Sequence, residues 1–396
     1  MKAVGIDIGT AFIAGACYHK NNLQAKYQRN GFFVMPYLQQ REYMLRESKV
    51  AFIVKPRPNV SHKKDIFVIG NESFNMALLF GQEIRRPMAS GIISSKERDT
   101  EFILKEILRR VTPEAEKGDV CFYSVPAVPV DRDMTITYHT EIFRKFLTEM
   151  GYIATPLNES TAVVYAECDD TGLTALSLDF GAGMTNTALV YRGLDIFSFS
   201  VARSGDFVDR MVSESRGISI SDATAEKEKP SFDLLNPKDD VEEAIVIFYK
   251  NTLEYVLEHT NIAMEQHKRD IKLEDPLTVV VAGGSSVPKG FLQLLNNALK
   301  ENPLPIPIGC VRHASNPVMA VAKGCLRMAQ KALEDPKTDG VTDISNGQNE
   351  KHQYPKAPKE EPPHEKTPKE KRDDVERAKV LSQGMAFAES IDLKKV

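Results

Sequence analysis

LSLDFGAGMTN, residues 176–186, decides how the whole chain is read. TALSLDFG reads as a strand and NTALVYRG as the strand that follows it. Both are rich in β-forming residues and bounded by glycine, aspartate or proline. Between them stands Asp179, then a tight turn built on Gly181 and Gly183. The stretch GIDIGT, residues 5–10, has the same form: a strand reaches Asp7, turns at Gly9 and enters another strand instead of a helix. Two strand–Asp–x–Gly–turn–strand units about 170 residues apart point to two similar halves facing one cleft.

The chemistry of such a turn follows from its residue types. Glycine lets backbone N–H groups approach phosphate oxygens closely. An aspartate just before the turn can hold metal-bound water without touching the anion. Thr10 adds a hydroxyl. A single Asp-x-Gly is often only a turn. A pair of them, with polar side chains at Thr185 and Asn186, could clamp a polyphosphate and its magnesium ion from both sides. A third element, VVVAGGSSVPKGF at 279–291, ends a buried strand in Gly283 and Gly284 just before a helix. It makes a surface without side chains on which a nucleoside could lie.

Working outward, the strands KAVGIDIG, AGACYH, DIFVIG, DVCFYSVP, LDIFSFSVA and PLTVVVAGG alternate with helical segments. The helices are DTEFILKEILRRV, YHTEIFRKFLTEMG, ESTAVVYAEC, VEEAIVIFYKNTLEYVLEHTNIAMEQHK, KGFLQLLNNAL and NPVMAVAKGCLRMAQKAL. Leu104, Ile107, Leu108 and Val111 hold the i, i+3, i+4, i+7 pattern of one buried face. The mixture predicts an α/β fold. With 396 residues, 42% of them apolar, the chain can bury a large core.

The formal net charge of −4 gives no positive field, so no nucleic-acid partner is expected. The five scattered cysteines, Cys17, Cys121, Cys168, Cys310 and Cys325, form no C-x-x-C or zinc pattern and read as reduced thiols. No continuous apolar run is long enough to span a membrane, and the opening MKAVGIDIGT is unlike a signal peptide, so a cytoplasmic location is expected. Beyond residue 334 the composition changes. Residues 335–374 are rich in Pro, Lys and Glu and are expected to be a disordered linker. In 375–396, Val380, Leu381, Met385, Phe387, Ala388 and Ile391 fall roughly on one helical face, the pattern of a tail helix that docks on a protein or a membrane surface.

Taken in order, GIDIGT, LSLDFGAGMTN and VVVAGGSSVPKG resemble the first phosphate loop, second phosphate loop and adenosine loop of the actin/DnaK-type ATPase superfamily. The resemblance covers roughly residues 1–330. It is closest to the bacterial actin-like proteins. RRPMASGIISSKERDTEFILKEIL and GISISDATAEKEK are similar to MreB segments, NESTAVVYA is similar to a DnaK segment, and ASNPVMAVAKGCL is similar to the family's closing helix. The chain departs from the pattern at Ala182, Met184 and Ser160, and residues 20–65 match no named subdomain.

What the resemblance implies is an actin-like ATPase fold: two ribonuclease-H-like halves around a nucleotide cleft. Domain I would span 1–150, with an outer subdomain near 20–75 and a closing helix at 314–333. Domain II would span 151–313, with an outer subdomain near 205–275. Glu159 matches the residue that orients the attacking water. Asp7 and Asp179 match the pair that holds Mg2+ through water. Gly9, Thr10, Ala11, Gly181, Ala182, Gly183, Thr185 and Asn186 match the phosphate-loop positions. Glu226 and Lys229 match positions beside ribose and adenine, and Gly283, Gly284 and Ser285 match the adenosine loop. The implied activity is Mg-dependent ATP hydrolysis by a protein that self-associates into filaments. The alternatives are a non-polymerising DnaK-like or FtsA-like ATPase switch that recruits a partner through its tail, a sugar kinase of the same fold, and a nucleotide-binding remnant without turnover.

Overall fold

The structure is a computed structural model that describes residues 1–57, 60–77, 79–267 and 275–334. The chain divides into Met1–His352 and Gln353–Val396, and all described residues belong to the first unit. The expected linker and tail helix lie outside the described residues.

In chain order the strands are β1 (Ala3–Ile8), β2 (Phe12–His19), β3 (Asn22–Arg29), β4 (Phe32–Pro36), β5 (Phe52–Arg57), β6 (Val60–Ile69), β7 (Met88–Ala89), β8 (Ile92–Ile93), β9 (Val120–Val125), β10 (Ile153–Asn158), β11 (Ala175–Phe180), β12 (Thr185–Tyr191), β13 (Leu194–Val201), β14 (Leu277–Ala282) and β15 (Ile308–His313). The helices are α1 (Gln39–Glu47), α2 (Asn71–Ala77), α3 (Thr100–Val111), α4 (Thr137–Glu149), α5 (Glu159–Glu167), α6 (Gly205–Arg216), α7 (Ile220–Lys227), α8 (Asp240–Gln266), α9 (Phe291–Glu301) and α10 (Ala320–Glu334).

Two five-stranded sheets carry the architecture, ordered β10-β9-β1-β2-β3 and β13-β12-β11-β14-β15. In each, an antiparallel meander of three strands is extended by two parallel ones. β1 pairs antiparallel with β2, Asp7 facing Ala14, and parallel with β9. β11 pairs antiparallel with β12, Asp179 facing Asn186, and parallel with β14. The repeat seen in the two hairpins is therefore a repeat of whole sheets.

Between the sheets lie α5 and α10. Their buried residues Ala162, Val163, Val321 and Cys325 share one apolar cluster with Phe122 and Leu157 of the first sheet and Val280 and Ala282 of the second. Glycine makes this crossing possible. A Cβ at Gly324 would stand 1.8 Å from the Ala162 carbonyl, and one at Gly5 would stand 2.1 Å from the Leu326 backbone nitrogen. Each fully buried Val, Leu or Phe in such a layer contributes roughly 1.5–3 kcal/mol.

Segment 20–65 matches no subdomain by sequence, but it folds into β3, β4, α1, β5 and most of β6. The order β4-β6-β5 makes a small outer sheet with its own core of Phe33, Met35, Leu45, Ile66 and Val68. Polar β3 gave no signal because it is an exposed edge strand. β10 contains Pro156, tolerated because this strand too lies at an edge. All five cysteines are free. Among the described residues, no helix is long and apolar enough to cross a membrane.

Candidate functional site

Both hairpins are closed by the same backbone hydrogen bond. Gly9 N–H donates to the Phe12 carbonyl at 2.9 Å, and Gly181 N–H donates to the Met184 carbonyl at 3.1 Å. Side chains at these turns would collide with the chain. A Cβ on Gly9 would meet the Phe12 oxygen at 2.7 Å, and one on Gly181 would meet the Met184 oxygen at 2.9 Å. The hairpins face each other across a cleft of about 1020 Å³. Asp7, Gly9, Thr10, Ala11, Glu159, Asp179, Gly181, Ala182, Gly183, Lys229, Gly283, Gly284 and Ser285 all line it.

Three residues from the sequence reading stand elsewhere. Thr185 and Asn186 are neighbours on β12, so their side chains leave opposite faces of the sheet. The Thr185 hydroxyl donates to the Arg203 carbonyl at 2.9 Å, away from the cleft. Asn186 lies one layer behind the lining: its amide donates to the Glu159 carboxylate, and its oxygen accepts from Ala127 N–H at 3.0 Å. Glu226 does not line the cleft. It is ion-paired with Lys229, three residues on.

The ledge read from Gly283 and Gly284 is bound to the second hairpin. Gly283 adopts φ of +87°, and a Cβ there would stand 2.2 Å from the Phe180 carbonyl, so only glycine fits. The Ser285 and Ser204 hydroxyls both donate to the Gly181 carbonyl, the former at 2.7 Å, and the Tyr249 hydroxyl donates to the Ser285 carbonyl at 3.0 Å. Around Gly284 nothing lies within 4 Å of where a Cβ would point.

Three carboxylates converge at the floor. Glu159 opens α5, directly after the N-cap Asn158, whose side chain accepts from Thr161 N–H. Burial raises the pKa of Asp7 to about 7, against one hydroxyl hydrogen bond from Ser124 at 3.1 Å. Burial and then the neighbouring Asp7 raise Asp179 to about 8. Glu159 is raised well above the usual range by burial, then by Asp179 and Asp7. Asp179 is buried, while Asp7 and Glu159 keep part of their surface open to the cleft. Three oxygen donors repelling one another suit a hard divalent cation such as Mg2+. Among the described residues, no three His, Cys, Asp or Glu side chains are placed to hold a metal directly.

The sequence reading named Lys229 but missed Lys227 and Arg86. Lys227 is buried, ion-paired with buried Asp209 at 2.7 Å, and donates to the Gly205 carbonyl at 3.0 Å. Asp209 also accepts from the Thr224 hydroxyl at 2.8 Å, yet burial still raises its pKa. One signal was available: Lys227 follows buried Ala223 by four residues on α7, so the two share a helical face. Arg86 also lines the cleft and pairs with Asp206 at 2.8 Å.

Residues 1–329 match the family model described as Volactin. The chain belongs to the Volactin family. No curated protein matches it. Among solved structures, this volactin-family chain is similar to a MamK double helical filament at 19% identity, covering 83% of this chain and 98% of that one, with a TM-score of 0.60. It is also similar to MreB5 of Spiroplasma citri bound to ADP, at 16% identity, covering 85% and 98% with a TM-score of 0.59. The same MreB5 bound to AMPPNP matches at 15% identity, with a TM-score of 0.57. These likenesses establish an actin-like α/β fold.

Proposed function

We propose that this chain binds Mg-ATP between its two sheets, hydrolyses it slowly, and assembles into nucleotide-dependent filaments with a cytoskeletal role. The observation that carries this reading is the pair of matched hairpins, each ending in a buried or half-buried aspartate, facing one another with Glu159 between them. The similar MreB5 structures hold ADP or AMPPNP, and the similar MamK is a double helical filament.

In this reading the N–H groups of Thr10, Ala11, Ala182 and Gly183 receive the phosphates, with the Thr10 hydroxyl beside them, while Gly9 and Gly181 close the two turns. Gly283, Gly284 and Ser285 seat the nucleoside, with Lys229 nearby. Asp7 and Asp179 hold the cation through water; when bound, Mg2+ supplies charge neutralisation for the transferring phosphoryl group. Glu159 orients the attacking water and accepts its proton. Asn186 fixes the Glu159 carboxylate. Domain I is taken as 1–150 with the closing helix, and domain II as 151–313.

Sedimentation with ATP, ADP or no nucleotide, run beside phosphate release and electron microscopy, tests the reading. Pelleting and visible filaments with ATP support it. Phosphate release without assembly, changed by removal of residues 375–396, would move the protein to a partner-recruiting switch instead. Absence of nucleotide binding by calorimetry would overturn both.

A further inference from the structure

Two cation–carboxylate pairs join the halves of the molecule at the rim of the cleft. Arg86 of the first half reaches Asp206, the second residue of α6, at 2.8 Å. Arg29, the last residue of β3, reaches Glu228, just past α7, at 3.6 Å. All four side chains line the cleft and are partly open to solvent.

Each pair is anchored to an element that frames the site. The segment before Arg86 is fixed to β4, with Arg85 and Phe32 exchanging both backbone hydrogen bonds at 2.8 and 2.9 Å. Asp206 N–H donates to the Ala182 carbonyl at 2.8 Å, so its carboxylate rides on the second hairpin. Arg29 N–H donates to the Asn71 side chain at 2.9 Å, and its guanidinium lies over the rings of Phe74 and Phe12, at 4.6 and 5.1 Å. Glu228 follows Lys227, which is buried against Asp209.

Arg86 also enters an acidic socket. Burial works against its charge, yet Asp206, with Asp209 and Glu228 behind it, holds its pKa above the usual arginine value. Asp209 already has Lys227, so Asp206 and Glu228 are the carboxylates left for the two arginines of the first half.

We infer that Arg86 and Arg29 form a two-point electrostatic latch across the cleft, which sets how fast the halves part and nucleotide leaves. Regulation of nucleotide exchange rests on the nucleotide reading above; the latch itself does not. Neither pair lies within one rigid element, so opening must break both. Partly exposed pairs are weak and screened by salt. Each is therefore expected to slow opening by about two- to five-fold, and ionic strength becomes a control on exchange.

The test uses the full chain and two readouts. Release of a fluorescent ADP analogue is followed by stopped flow from about 0.05 to 0.5 M salt, for the wild type, Arg29→Ala, Arg86→Ala, the double variant and the charge swap Arg86→Asp with Asp206→Arg. Hydrogen exchange of peptides spanning 86–93 and 203–209 is followed without nucleotide. Expected are faster release and faster exchange in each single variant, roughly ten-fold in the double. The charge swap should return toward wild type, and salt dependence should be strong in the wild type and flat in the double variant. Faster exchange in a protein that binds no nucleotide would keep the latch and remove the nucleotide reading. Unchanged exchange in the double variant, or a swap no better than Arg86→Ala, would overturn the latch.

Discussion

A methyl group at Gly183 probes the contact between the two hairpins. The added Cβ would stand 2.4 Å from the Thr10 hydroxyl oxygen and 2.5 Å from the Gly91 backbone nitrogen. Those two atoms are hydrogen-bonded to each other at 3.1 Å, with Gly91 N–H donating. Ordinary contact begins near 3.4 Å, so both neighbours must withdraw by roughly 1 Å. Neither is the free end of a flexible side chain, since Thr10 is buried within the first hairpin and Gly91 N is backbone. Overpacking of this kind costs about 1–3 kcal/mol, and a buried N–H left without its acceptor adds a comparable amount. Gly183→Ala is therefore expected to lose about 2–5 kcal/mol and to melt several degrees below the wild type. Gly284→Ala is the counterpart, because a methyl there meets nothing within 4 Å. It should melt with the wild type when ligand-free, yet bind adenine nucleotide at least about ten-fold more weakly if the nucleoside lies on that ledge. Differential scanning calorimetry and titration calorimetry measure both effects. A Gly183→Ala protein as stable as the wild type would refute the hairpin contact. A Gly284→Ala protein of unchanged affinity would place the nucleoside elsewhere.

Glu159→Gln should keep ATP affinity, because it preserves the shape and the hydrogen-bonding side chain, while phosphate release falls about 10²-fold or more; unimpaired turnover would remove Glu159 from the reaction. Asp7 and Asp179, raised to about 7 and about 8, keep protons in the native state that the unfolded chain has released above about pH 4. Their stabilisation is thus complete below about pH 4 and is lost as pH rises through about 7 to 8. Ligand-free Tm should fall from pH 6 to 8.5, and Asp179→Asn should flatten the fall; a Tm that climbs over this range contradicts the arrangement. Gly324→Ala sets helix propensity against packing: propensity alone predicts a gain of about 1 kcal/mol, whereas the clash with the Ala162 carbonyl predicts a loss of about 3 kcal/mol or more. Denaturant unfolding decides the sign.

The chain's local chemistry determined the two strand–Asp–x–Gly hairpins, the glycine ledge, the α/β alternation and the repeat in two halves. Each is written in consecutive residues, and φ, ψ and strand composition act over that range. What only the tertiary structure decided is which side chains meet. β3 and β10 were illegible because edge strands carry no apolar requirement on the side that faces solvent, and the outer sheet of β4, β5 and β6 closes on its own small core. Thr185 and Asn186, adjacent in sequence, part company because neighbours on a strand leave opposite faces of the sheet. Lys227 turned inward to Asp209, while Glu226, one residue earlier and not part of the cleft lining, paired with Lys229, which is. Arg86 and Asp206 are 120 residues apart and carry no shared motif. A charge finds its partner through the packing of whole sheets, and that distance in space is absent from the order of residues.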